Sequence, residues 1–183
     1  VIFTIDGDDT KDIDDAISID KKGDNYVLGV HIADVSYYVR PNTQLDKEAY
    51  ERGTSVYLAD RVIPMLPHKL SNGICSLNPN VDRLAISCVM EIDPNGNVVD
   101  YEIFESVIKS KIQMTYKKVN KILEENIVSE GYEEYVDKLH MMADLAKILR
   151  KHKENRGYID FDLDESKIIV DDKGKAIDIT LRD

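Results

Sequence analysis

The sequence predicts an α+β fold, a mostly antiparallel sheet or partial barrel with packed helices. Three observations lead there. β-prone runs separated by tight-turn residues fill most of the first 110 positions, and two stretches with helical periodicity follow as a block. No strand-helix alternation or internal repeat runs through the chain, which argues against a doubly wound or solenoid architecture. With 183 residues, 43% hydrophobic and 32% charged, the chain can bury a core and suggests one domain or part of a larger one.

Residues 2–6 are apolar-rich and 16–19 alternate. Tyr26–Val35 is a longer β-prone run after the turn signal Lys22-Gly23-Asp24-Asn25, so an antiparallel hairpin is expected. Leu45–Arg52 carries Leu45, Ala49 and Tyr50 among charges and stops before Gly53, as a short helix does. From Ile63 to Asn80, Pro64, Pro67 and Pro79 and the Ser71-Asn72-Gly73 turn residues exclude long regular elements, leaving a loop. Strands over 84–92 and 97–109 flank Asp93-Pro94-Asn95-Gly96, a hairpin signal. Helices are expected over about 115–127, with Val119, Ile122 and Leu123 on one side, and about 131–155, with Tyr135, Val136, Leu139, Met142, Leu145, Ile148 and Leu149 near a 3.6-residue period. Lys147, Arg150, Lys151, His152 and Lys153 suit the end of the second helix, and Gly157 closes it. A hairpin over 158–162 and 167–180, turning at Asp171-Asp172-Lys173-Gly174, completes the chain. Val1 is not Met, and Thr180-Leu181-Arg182-Asp183 carries no helix stop or terminal signal, so a piece of a longer polypeptide is expected.

Twenty-four Lys and Arg oppose 35 Asp and Glu, a net charge of −11. A generic basic nucleic-acid-binding surface is disfavoured, but an enzyme that meets nucleic acid through metal ions is not. No apolar run approaches the roughly 18 residues of a membrane span, and no signal peptide opens the chain, so a cytoplasmic protein is expected. Cys75 and Cys88 lack metal-ligand spacing and are read as free, buried thiols in a reducing compartment. His31, His68, His140 and His152 are read as structural or exposed rather than ligating.

The acids are not evenly spread. Six of the ten residues from Asp6 to Asp15 are aspartates, with Lys11 as the one cation among them. Crowded carboxylates raise one another's pKa and oppose folding unless a cation or hydrogen bonds compensate. Interleaved Ile5, Ile13, Ala16 and Ile17 make a fully solvated acidic loop a poor description. Oxygen-only ligands suit Mg²⁺ or Mn²⁺, and two such ions could activate water and stabilise the leaving oxygen of a phosphodiester. An EF-hand starting at Asp6 is excluded, because Thr10, Lys11 and Ile17 stand where a ligand, Gly and Glu are required. Asp6-Gly7-Asp8-Asp9-Thr10 also fits the nucleophile motif of haloacid-dehalogenase-type phosphatases, but those enzymes need a doubly wound parallel sheet.

Five ordered segments resemble the catalytic (RNB) domain of the ribonuclease II/ribonuclease R exoribonucleases, ribonuclease R most nearly. They are Phe3-Thr4-Ile5-Asp6-Gly7-Asp8-Asp9-Thr10-Lys11-Asp12-Ile13-Asp14-Asp15-Ala16, His31–Val39, Arg52-Gly53-Thr54-Ser55-Val56-Tyr57, Ile63–Pro67 and Leu70–Pro79. A weaker likeness continues through Arg156-Gly157-Tyr158-Ile159-Asp160-Phe161. The resemblance implies that residues 1–183 are the N-terminal half of that domain, from a processive, Mg²⁺-dependent 3′→5′ exoribonuclease that releases nucleoside 5′-monophosphates. It implies that Asp6 and Asp15 are direct metal ligands, that Asp12 supports the site, and that Asp14 is most closely tied to the chemistry. Asp8 and Asp9 fall outside that set. Tyr57 and Phe161 match the aromatic pair that clamps terminal nucleotides of single-stranded RNA, and Tyr116 lies near the substrate or packs at a helix start.

The family's site is completed by a basic residue and further acids beyond the position of Asp183, and cold-shock and S1 domains flank it. The resemblance therefore implies a monomeric parent and an isolated segment that is inactive. A non-catalytic RNA-binding or scaffold module is the alternative from a different class, with the phosphatase as a third.

Overall fold

The computed structural model describes residues 1–159, 161 and 166–181. These form two compact units, Val1–Tyr38 with Lys69–Tyr158, and Val39–His68 with the described residues of Ile159–Asp183. The first unit carries the acidic cluster.

Its main sheet is antiparallel, in the order β2 (Asp15–Lys22), β3 (Asn25–Ala33), β6 (Asp82–Ile92), β7 (Val98–Lys109). The β2–β3 turn contains Gly23 at φ +60°, and Gly96 at φ +85° closes the β6–β7 turn, where Asp93 Oδ1 accepts from the Asn95 and Asn97 amides. Both hairpins lie where the turn chemistry predicts them. A polar ladder crosses the sheet: Ser18 Oγ is 3.2 Å from His31 Nε2, His31 Nδ1 is 2.7 Å from Ser87 Oγ, and Ser87 Oγ is 2.6 Å from Ser106 Oγ. Gly29 makes room for it, because a Cβ there would lie 2.3 Å from Ser18 Oγ. His31 is buried and structural, as its type and setting predict.

A second, parallel pair joins β1 (Thr4–Asp6) to β8 (Gln113–Thr115), with Asp6 opposite Thr115. Sequence patterning missed β8. The three-residue strand has no period of its own and is defined by its distant partner. Among the described residues the sheets stay open, so the partial-barrel expectation resolves into separate open sheets. The doubly wound parallel sheet required by the phosphatase reading is not what these strands build, and that reading is set aside.

Thr115 then caps α3 (Tyr116–Glu125), accepting from the Lys118 amide, and Asn126 ends it in the left-handed conformation at φ +57°. α4 (Val136–Asn155) starts five residues later than its periodicity suggests, because Glu133–Tyr135 forms a 3₁₀ turn before it. Phe3, Met114, Val119, Ile122, Tyr132, Tyr135 and Leu139 make one core between β1, β8 and these helices. Ile19, Tyr26, Ile92 and Leu145 make another where α4 crosses the sheet, and Lys138 Nζ reinforces it by donating to Ile19 O and Asp20. A third core, Ile13, Ala16, Ala33, Leu77, Ala85 and Ile108, lies directly beneath the aspartates. α1 (Val35–Tyr38) ends the β3 run early, with Asp34 Oδ1 accepting from Ser36 Oγ and the Tyr37 amide. Between Ile63 and Asn80, the segment expected as loop includes a π-helical turn, Lys69–Ile74.

In the second unit, α2 (Gln44–Arg52) is capped by Thr43 and stops at Gly53, φ +71°, as predicted. β4 (Val56–Tyr57) pairs with β5 (Val62–Ile63), and β9 (Ser166–Val170) pairs with β10 (Ala176–Leu181) around the predicted 171–174 turn. Of the arm expected over 158–162, Tyr158, Ile159 and Phe161 are described and none is strand. Asp160 and Asp162 lie outside the described residues.

Candidate metal and phosphodiester site

The aspartates occupy one continuous segment that begins at the end of β1 and re-enters the sheet at β2. Asp6 is the last residue of β1 and Asp15 the first of β2. Between them, Ile13 is fully buried, so the segment is nailed to the core by the residue that separates Asp12 from Asp14.

Hydrogen bonds from distant parts of the chain fix the segment's backbone. Gln113 Nε2 donates to Thr10 O at 3.2 Å. Ser76 Oγ donates to Lys11 O at 2.8 Å and accepts from the Ile13 amide at 3.1 Å. The Leu77 amide donates to Ile13 O at 2.9 Å, and the Ala33 amide to Asp14 O at 2.8 Å. Ser76 is itself held by Arg83, whose Nε donates to Ser76 O at 2.8 Å and Nη2 to Gly73 O at 3.3 Å.

Asp6, Asp12, Asp14 and Asp15, spaced by six, two and one residues, form one electrostatic group. Burial pushes the Asp6 carboxyl above its ordinary value. The nearby Thr4 hydroxyl offsets part of the rise without making a well-formed hydrogen bond, and Asp15 and Asp12 add to it. Asp14 is also raised, first by the protein atoms around it although its surface remains accessible, then by Asp12, Asp15 and Asp6. Asp8 and Asp9 are exposed and take no part in either shift, as expected of loop acids outside the set.

Asp6 Oδ2 is buried without a hydrogen-bond partner. Among the described residues, no three His, Cys, Asp or Glu side chains converge closely enough to form a finished metal cage. The donor set nevertheless fits a hard divalent cation: only carboxylate oxygens, mutual repulsion that a positive charge would relieve, and a buried Asp6 oxygen that makes no well-formed hydrogen bond, with only the Thr4 hydroxyl nearby. Asp6, Asp12, Asp14 and Asp15 are the residues that could hold it.

Thr115 is both the strand partner of Asp6 and the cap of α3, so Tyr116, 60% exposed, follows immediately beside the acidic site. Tyr57 in β4 and Phe161 belong to the second unit, where their rings are 65% and 73% exposed. Sequence reasoning missed Ser76, Arg83 and Gln113, although Ser76 falls inside the Leu70–Pro79 segment. It read Cys75 and Cys88 as buried. Cys75 is buried, with its thiol pushed up by burial and then by neighbouring Asp14, whereas Cys88 is half-buried; both are free.

The RNB domain model matches residues 1–183. The chain is 54% identical over 184 residues to Ribonuclease R 1 of Lactococcus lactis subsp. lactis (strain IL1403), covering all of this chain and 22% of that protein. It is likewise 54% identical over 184 residues to Ribonuclease R of Thermotoga maritima, covering all of this chain and 26% of that one. The chain thus spans about a quarter of the length of these curated relatives. The solved structure of Mycoplasma genitalium RNase R in complex with double-stranded RNA superposes with a TM-score of 0.93 at 34% identity, covering 99% of this chain and 32% of that one. With the whole length matched by the family model, the chain belongs to the RNB domain family.

Proposed function

We propose that this chain is the metal-binding part of an exoribonuclease that hydrolyses single-stranded RNA processively from the 3′ end, releasing nucleoside 5′-monophosphates with Mg²⁺ or Mn²⁺. The observation that carries the reading is the repelling quartet Asp6, Asp12, Asp14 and Asp15, with a buried, partnerless oxygen on Asp6. Near-neutral hydrolysis of a phosphodiester needs a stabilised leaving oxygen and an activated water, and a bound hard cation supplies both.

Asp6 and Asp15, at the two strand ends, would hold the cation. Asp12 supports them from the intervening segment. Asp14, on the same segment as Asp12 and with its surface accessible, is the carboxylate that would hold or move a proton at its carboxyl oxygen during water attack. Tyr57 and Phe161 stack the terminal bases, which is sequence-tolerant because every base has a π-face, and Tyr116 contacts the strand beside Asp6. RNA is distinguished from DNA by its 2′-hydroxyls rather than by base identity.

With a net charge of −11, this segment has little intrinsic affinity for a polyanion, so RNA is gathered by flanking cold-shock and S1 domains of the same polypeptide. The enzyme works in the cytoplasm as a single chain in RNA degradation and processing. None of the described helices is long and apolar enough to cross a membrane.

The test uses the full-length polypeptide with Mg²⁺ and 5′-end-labelled single-stranded RNA. Stepwise shortening with mononucleotide release is expected, abolished by Asp14→Asn while RNA binding persists. Unchanged turnover by Asp14→Asn overturns the assignment.

A further inference from the structure

Ser76 is completely buried and lies more than sixty residues from the acidic segment in sequence, yet its hydroxyl makes two bonds to it. The bonds go to Lys11 O and to the Ile13 amide, the main-chain groups immediately before and after Asp12. A hydroxyl donates once and accepts freely, so one Ser side chain satisfies both a carbonyl and an amide. This clamps the peptide groups that set the direction of the Asp12 Cα–Cβ bond and, one residue further on, of Asp14.

The clamp is anchored. The adjacent Leu77 amide bonds to Ile13 O, and Leu77 packs with Ile13 in the core beneath the acids. On the other side, the Arg83 guanidinium bonds to Ser76 O and Gly73 O, tying the turn that carries Ser76 to β6. Four like-charged carboxylates repel one another, and a flexible segment would relieve that repulsion by opening. A backbone held from behind cannot, and the anionic cluster then remains where a cation can be received.

We propose that Ser76 is a positioning residue for metal binding, holding Asp12 and Asp14 through the backbone on either side of Asp12. The proposal rests on the reading of the quartet as a metal site. Groups that orient metal ligands without touching the metal typically change affinity by about 10–100-fold when removed. Acting through the backbone, Ser76 should fall at the lower end.

Mn²⁺ is titrated into the full-length polypeptide without RNA and followed by the EPR signal of the free ion. Ser76→Ala is expected to bind Mn²⁺ about tenfold more weakly. With saturating metal, kcat should fall while KM for RNA stays within twofold of wild type. A purely structural role would lower the melting temperature and leave Mn²⁺ affinity unchanged, and equal affinity in Ser76→Ala and wild type overturns the proposal. If wild type itself binds no Mn²⁺, the metal-site reading fails and this inference fails with it.

Should Ser76→Ala not fold, hydrogen exchange on the wild type decides. The Ile13 amide should be protected at least a hundredfold with and without Mn²⁺. Exchange at the open-chain rate without metal would mean that no preformed clamp exists.

Discussion

Ile13 is the residue on which the acidic segment turns inward, and truncating it tests whether the core underneath holds the site. It is fully buried against Ala16, Ala33, Leu77, Ala85 and Ile108, with Ile2 and Val35 at the edge. Truncating a buried Ile to Ala costs about 2–5 kcal/mol, the larger values arising where the surroundings cannot close the cavity. Three of the five buried neighbours are alanines with no side-chain freedom, and all three lie in hydrogen-bonded strands. The expected cost is therefore in the upper half, about 3–5 kcal/mol. Native-state hydrogen exchange of β3 and β6 amides in the full-length protein measures it, because amides deep in a sheet exchange through large-scale opening. At tenfold per about 1.4 kcal/mol, Ile13→Ala should speed their exchange by between about a hundred- and a few thousand-fold. Ile13→Val, at about 0.5–1.5 kcal/mol, should change it by roughly tenfold or less. An Ile13→Ala effect below tenfold would show that the segment can collapse around the missing atoms, and the argument that Ile13 fixes Asp12 and Asp14 would be wrong.

Because folding raises the carboxyls of Asp6 and Asp14, these groups oppose folding above their folded pKa, and the penalty is relieved as pH falls through that value towards 3.8. Asp14→Asn in EDTA at pH 7 should therefore melt no lower than wild type, whereas added Mg²⁺ should stabilise wild type more than the variant; a lower melting point in EDTA would contradict the repulsion argument. His31 has the opposite sign: burial lowers its pKa, so its contribution is complete above about 6.5 and is lost as pH falls from there towards the folded value. Stability measured between pH 5 and 7 should fall with pH less steeply in His31→Asn than in wild type. Tyr57→Ala and Phe161→Ala should each weaken single-stranded RNA binding by about 1–3 kcal/mol in fluorescence anisotropy, with little dependence on base identity. Loss confined to one base would contradict stacking as their role.

Most of the local structure was legible. Gly23, Gly53 and Gly96 punctuate the chain at positions of positive φ, and the hairpins and α2 follow from them. The periodicity of Leu139, Met142 and Leu145 locates α4, although it reads the preceding 3₁₀ turn as helix because both repeat at similar spacing. The parallel β1–β8 pair was not legible, since its register depends on residues more than a hundred positions apart. For the same reason Ser76, Arg83 and Gln113 passed as residues outside any regular element.

The available chemistry could be read from the chain: six aspartates within ten residues, four of them singled out by the family resemblance, oxygen ligands only, on a segment with too many apolar residues to be a solvated acidic loop. The turns and helix ends could be read there too, because these depend on the φ preferences and capping groups of a few adjacent residues. Which acids feel one another, that Asp6 buries an oxygen without a well-formed hydrogen bond, and that a serine far along the chain grips the backbone around Asp12 follow from the packing of the whole chain. Burial and long-range hydrogen bonds are properties of the packed chain, and no local pattern carries them.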